Sequence, residues 1–220
     1  MTLYSTLVFI HILLFVFWLG TDIGVFLAAK ISERSDLGIE TRATVLKLGM
    51  VLDRLPRSAV ILIVPTGLQL GTVLGQFALP GFILPAVWVI SLIWLAVMWV
   101  GFLNPETALE KTATHINFVM HLIVAPLLIG YSIYLFLGDQ TAPWLATKVL
   151  MVGLIYVTGI VLDVLFKPAV IAFVTLVTQG ATPERDAAYS KAIGPVYYSV
   201  LAIYALVLIA AYLGSTKPVF

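Results

Sequence analysis

Two polar side chains interrupt the first apolar run of the chain. His11 and Asp22 lie within Phe9–Lys30, FIHILLFVFWLGTDIGVFLAAK, a stretch long enough to cross a bilayer. At ~100° per residue, His11, Phe15, Trp18 and Asp22 share one helical face. Gly20, Gly24 and Ala28 form a small-xxx-small run on the opposite face, where another helix can come close. An imidazole can ligate a metal, and a buried carboxylate can hold a proton, a cation or a basic partner. An ionisable group near mid-bilayer costs ~2.5–3.5 kcal/mol on insertion scales, so each one carries a functional hypothesis. His11, Asp22, His121 and Asp163 qualify, and Lys148 stands one turn inside the end of a later span.

Neutral imidazole is a good axial ligand for haem iron, and two facing helices can supply one each. Thr114, Asn117 and His121 fall on one face at i, i+3 and i+7, so His121 is expected to point inward, with His115 turned ~120° away from it. His11 and His121 are therefore the preferred pair of metal ligands, offset by several Å in depth, which a helix tilt of ~20° absorbs. Trp18 on the face of His11, Asn117 on the face of His121, and Arg54 and Arg57 as partners for haem propionates complete the cofactor-binding candidates. Plainer roles stand beside these. The histidines can hydrogen-bond neighbouring helices, and the arginines can meet anionic lipid headgroups. Asp22 can pair with Arg54 or Arg57 or serve a proton relay, and Asp163 has Lys167 at i+4 for an ion pair.

The elements that must position these groups are membrane spans. Of the 220 residues, 61% are hydrophobic and only 10% charged, and the mean hydropathy is +1.09. A soluble domain this apolar has too little polar surface to stay dispersed. The runs lack the period-2 alternation of a transmembrane barrel. The absence of cysteine excludes disulfides, iron–sulfur clusters and covalent haem attachment through Cys-x-x-Cys-His. A net charge of +1 argues against a nucleic-acid partner. The first run lacks a basic leader and exceeds the length of a signal-peptide core, so it is expected to persist as a span.

The pattern predicts an all-α polytopic bundle of about six spans in a single integral membrane domain, residues 1–220. The expected helices are Leu3–Ala29, one from Arg42 bent at Pro65 and Gly67, Phe82–Leu103, Ala108–Leu137, Trp144–Phe166, and one from Thr182-Pro183-Glu184 to Tyr212. Lys167-Pro168 interrupts the fifth, and the apolar piece to Val177 either lies along the interface or extends that helix. Asp53 and Arg57 are spaced i, i+4 for an ion pair. Lys30, Arg34, Arg42, Lys47, Arg54, Arg57, Lys111, Lys167, Arg185 and Lys191 gather on one side. The positive-inside rule makes that side cytoplasmic and places both termini toward the periplasm of a bacterial inner membrane.

The spacing of His11, Trp18 and Gly20 resembles the first helix of a group of bacterial membrane proteins: HemJ-type protoporphyrinogen oxidases, CopD-type copper-resistance proteins and the membrane domain of PuuD-type urate oxidases. Trp144-Leu145-Ala146-Thr147-Lys148 is similar to the Trp-Leu-x-x-Lys start of a later HemJ-type helix, and the entry to the second helix, with Arg54, Pro65 and Gly67, loosely resembles that family as well. The resemblance covers the first, second, fifth and sixth expected spans and implies haem b, with His11 as a ligand and Lys148 as a cation at the cofactor or substrate site. Lys148, with Asp22, is the catalytic candidate. The departures are Ala146, where the family has a histidine, and Ala192-Ile193-Gly194-Pro195, where it has Asn-Glu-x-Pro. The expected function is a b-type haem membrane protein moving electrons, with a partner cytochrome, quinone or dehydrogenase subunit in a homo- or hetero-oligomer. The alternatives are a HemJ-like oxidase, a CopD-like metal transporter and a structural membrane subunit. Copper(I) transfer favours thiolate and thioether clusters, and this chain has no cysteine and five scattered methionines.

Overall fold

Seven helices make up the computed structural model, which describes residues 2–77, 79–138 and 141–219. They are α1 (Leu3–Ser32), α2 (Ile39–Leu52), α3 (Arg54–Val73), α4 (Ile83–Leu103), α5 (Ala108–Leu137), α6 (Pro143–Gln179) and α7 (Pro183–Thr216). No strand occurs among the described residues. Five helices, α1, α4, α5, α6 and α7, are long and apolar enough to cross a membrane. The chain is an all-helical, multi-pass membrane protein. Part of the expected turn at 138–143 lies outside the described residues.

Local chemistry sets the helix ends. Thr2, Thr107 and Thr182 each accept a backbone N–H three residues on, capping α1, α5 and α7. Pro183 follows Thr182 at the first helical position, as the sequence pattern predicts. The expected second span is two helices. Pro56 has no N–H to give the Leu52 carbonyl, and its ring crowds that carbonyl, so the chain turns at Asp53 between α2 and α3. Pro168 does not break α6. The helix continues to Gln179, and its 37 residues rise about 55 Å, more than a hydrocarbon core requires.

The helices form a ring. α3 packs between α1 and α4, α5 between α4 and α6, and α7 closes from α6 back onto α1, while α2 lies against α1. Close approach depends on absent side chains: a Cβ on Gly49 of α2 would stand 2.8 Å from the Ala28 Cβ, and one on Gly101 of α4 only 2.6 Å from that of Ala113. The small face of α1 is thus used in part. Ala28 and Gly24 receive α2, whereas nothing approaches Gly20 within 4 Å. Outward faces carry exposed apolar side chains such as Val16, Leu27, Leu127 and Ile171, and Trp18 turns inward at 7% exposure.

Tyr4 near one chain end and Lys217 near the other line a single cavity, so both chain ends lie at one end of the ring, here the terminal end. The opposite, basic end is tied by polar bonds across the α1–α7 seam. Arg42, 1% exposed, donates from Nε to the Ser32 carbonyl (2.7 Å) and from Nη1 to Asp186 (2.7 Å). The Ser32 and Tyr189 hydroxyls share a hydrogen bond of 2.6 Å. Tyr197 and Ser190 donate to Glu33 at 2.6 and 2.9 Å. Removing one partner of a buried ion pair leaves the other charge uncompensated. Arg42→Ala should therefore cost about 3 kcal/mol in reversible denaturation of the detergent-solubilised protein. Removing Arg34, whose pair with Asp36 is open to solvent, should leave the midpoint unmoved.

Candidate functional site

Two cavities among the described residues hold the ionisable groups of the spans. The larger, about 550 Å³, opens at the terminal end and is within the size range of small-molecule and cofactor pockets. α1 supplies His11 and Phe15 to it, α3 supplies Gly67, and α6 supplies Trp144 and Lys148. The smaller, about 180 Å³, lies toward the basic end and holds Asp22, Asp53, Arg57, Asn117, His121 and Asp163. Trp18 and Ile155, 7% and 3% exposed, line both cavities and form the partition between them.

His11 is fixed by α3. Its Nδ1 lies 3.0 Å from the Thr66 hydroxyl, which is 2.8 Å from the Leu62 carbonyl and 3.1 Å from that of Ile63. A hydroxyl has one proton. With that proton donated back along α3, Thr66 accepts from His11 Nδ1–H, and the ring keeps its lone pair on Nε2. This tautomer is assigned from the hydrogen-bond network. Gly67 makes room for the ring, since a Cβ there would stand 3.3 Å from His11 Cε1. From the sequence, Gly67 is expected only as a bend, and Thr66 carries no expectation. The signal available was Thr66-Gly67 following Pro65, a hydroxyl and a bare backbone on an inward face.

Lys148 runs across α7 at Gly214, where any Cβ would collide with its ammonium. Lys217 Nζ stands 6.0 Å from the Trp144 ring centroid. Lys217 adopts φ 45° at the C-cap of α7, a left-handed conformation in which its N–H closes on the Leu213 carbonyl. Among the described residues no carboxylate lies within ion-pair distance of either lysine. The larger cavity thus combines an imidazole with a free nitrogen, two ammonium groups and apolar walls.

His121 belongs to the smaller cavity. Its Nδ1 donates to the Asn117 carbonyl at 2.8 Å, leaving Nε2 with the lone pair. The ring is held edge-on to Trp94, at 5.5 Å between centroids, and 5.1 Å from Tyr156. The Asn117 side chain is occupied in accepting from Trp94 Nε1 at 3.1 Å, so it orients the aromatic box around His121. The structure does not bring His11 and His121 together. Tyr156, which touches His121, donates to the Val60 carbonyl, whereas His11 meets Thr66 farther along α3. That separation is about 9 Å of helix rise, more than the sequence estimate allowed.

The arginines part company. Arg57 joins the smaller cavity, with Nε 2.5 Å from Asp53 as its spacing predicts, and Nη1 4.0 Å from Asp163. Arg54 is outside both cavities, donating to the Phe102 carbonyl at 3.3 Å. Asp163 faces Arg57 rather than Lys167, because it points into the ring while Lys167 turns onto the Phe118 ring of α5. His115 is exposed. Tyr197 reaches Glu33, and Tyr198 points outward at 77% exposure.

No protein-family model, no curated protein and no solved structure matches the chain. The hydrogen bond that sets the His11 tautomer is directly testable. In ¹⁵N-histidine-labelled protein, Thr66→Val should convert the single Nδ1–H form of His11 into a tautomer mixture, while the His121 signals stay unchanged. Unaltered His11 shifts would remove the assignment.

Proposed function

We propose that this chain binds haem b in the larger cavity and acts in membrane redox chemistry, with His11 as the axial ligand. The observation that carries the reading is the meeting of His11 and Lys148 in one apolar cavity. These residues lie far apart in sequence, on α1 and α6, and are the two positions that the resemblance to HemJ-type proteins marks as functional. The donor set fits the group. Thr66 orients the imidazole as outer partners orient metal-ligating histidines. Lys148 and Lys217 offer cations to the propionate carboxylates. When bound, haem supplies one-electron chemistry, and the protein tunes it through ligand, charge and burial.

The residues divide the work. His11 Nε2 would hold the iron, and Thr66 keeps that nitrogen free of a proton. Lys148 adds positive charge inside an apolar enclosure, which favours the more negative, reduced state. The Trp18–Ile155 partition excludes the polar contents of the smaller cavity. His121 is no partner in this site, since two imidazoles on one iron must share a depth. The reading therefore has one histidine ligand in place of the His11–His121 pair.

The sidedness belongs to the same reading. α3 is the sixth span, the basic end faces the cytoplasm of a bacterial inner membrane, and the larger cavity opens outward. A cytochrome, quinone or further subunit at the bilayer exchanges electrons with the site. The oxidase alternative is favoured by the same His11–Lys148 meeting. It is weakened at Ala146, which is fully buried, and whose carbonyl accepts from Ser132 of α5. Metal transport is the weaker alternative, because among the described residues no three His, Asp or Glu side chains converge as a metal site.

The test is the optical spectrum of detergent-purified protein, oxidised and dithionite-reduced, with a pyridine haemochrome. A Soret band and a b-type haemochrome are expected. Thr66→Val should weaken haem binding about tenfold, and His11→Ala should weaken it more. His121→Ala and His115→Ala should leave occupancy near wild type. A colourless folded protein, or equal haem content in all four variants, would overturn the proposal.

A further inference from the structure

The smaller cavity holds charge that the haem reading does not use. One guanidinium, Arg57, serves three carboxylates. Asp53 takes its Nε at 2.5 Å and Asp163 stands 4.0 Å from its Nη1. Asp22 lines the same cavity and has no hydrogen bond or ion pair of normal geometry with any described residue. The Tyr204 hydroxyl of α7 is buried beside Asp22 and is placed to donate to its carboxylate, though not in normal hydrogen-bond geometry. With all three carboxylates ionised, two negative charges would stand uncompensated in an apolar enclosure. Such charge is neutralised by a proton or a cation.

The surroundings favour the proton. No third ligand set converges with Asp22: Asp53 and Asp163 are turned to Arg57, and the cationic guanidinium already occupies the place a metal ion would take. Asp53 and Arg57 at the α2–α3 junction and Tyr204 on α7 stand around Asp22, and His121 on α5, Asp163 on α6 and Tyr197 on α7 line the same cavity. His121 offers its free Nε2 to the same space, bordered by the bare backbone of Gly159. Asp53, Asp163 and Arg57, with side chains 24%, 25% and 33% accessible, are the charged groups at the basic end of the cavity. Asp22 lies one helical turn below Trp18, which seals the inner wall.

We infer that the smaller cavity is a proton-binding site entered from the basic end, with Asp22 as the acceptor. An O–H bond forms on the Asp22 carboxylate, the proton comes from water at the basic end, and nothing is oxidised or reduced. The cavity gains one positive charge on the far side of the Trp18 partition from the larger cavity.

Infrared difference spectroscopy of the full chain in nanodiscs, between alkaline and mildly acidic buffer, tests this. A protonated-carboxyl C=O band should appear in the wild type as the pH falls into the mildly acidic range. Asp22→Asn should abolish it, and Asp22→Glu should shift its frequency. Asp36→Asn should leave it unchanged, because the hydrogen bond from Arg34 holds Asp36 below the usual carboxylate range. The band should also persist in His11→Ala protein, so failure of the haem reading would leave this result standing. A band that survives Asp22→Asn, a folded wild type with no band, or a band removed by potassium, sodium or magnesium would overturn the inference. If Asp22→Asn fails to fold, the Glu shift decides, since only a proton on that side chain moves with it.

Discussion

A hydrocarbon surrounding leaves polar side chains nowhere to go but inward, and the structure depends on that constraint. Lipid cannot hydrogen-bond an imidazole or solvate a carboxylate. The ring of helices therefore turns His11, Asp22, His121, Lys148 and Asp163 to its interior while exposing valine, leucine and isoleucine outside. Helices in lipid gain little from burying apolar surface against one another, so their contacts rest on close backbone approach and on hydrogen bonds. Gly49 on Ala28 and Gly101 on Ala113 are contacts of the first kind. Trp99 donating to Ser58 at 3.1 Å and Tyr156 donating to the Val60 carbonyl at 2.8 Å are contacts of the second.

The interior is divided by polarity. Trp18 is the dividing element: its indole lines both cavities, between His11 on one side and Asp22 on the other along α1, as Lys148 and Asp163 are divided along α6. The upper compartment has cations and a free imidazole nitrogen, and the lower has excess carboxylate. Lysine and carboxylate side chains are thus kept on opposite sides of one indole ring. A charge change in either compartment is felt across that partition, since interactions in an apolar interior are weakly screened.

At the basic end the α1–α7 seam is held by hydrogen bonds and ion pairs, which water can compete for but which are largely shielded here. Arg42 joins α1 to α7 through one guanidinium and is nearly inaccessible. Glu33 gathers Tyr197, Ser190 and Lys30. The α2 helix, made separate by Pro56, places Arg42 where a straight continuation of α3 would not.

Composition and periodicity alone determined the class, the helix ends at Thr182 and Thr107, the Asp53–Arg57 pair and the inward face of α1, because these follow from local propensity and from 3.6-residue geometry. Membrane insertion made His11, Asp22, His121 and Lys148 conspicuous, since ionisable groups are costly in a span. What the sequence could not carry was partnership between helices. That His11 meets Thr66 and Lys148 rather than His121, that Asn117 serves Trp94, that Arg54 lies outside and Asp163 turns from Lys167 to Arg57 are matters of depth and rotation between helices far apart in the chain. Helical spacing defines which face a residue occupies. Only the packed ring decides what that face meets, because a shift of two turns along one helix exchanges every partner on the next.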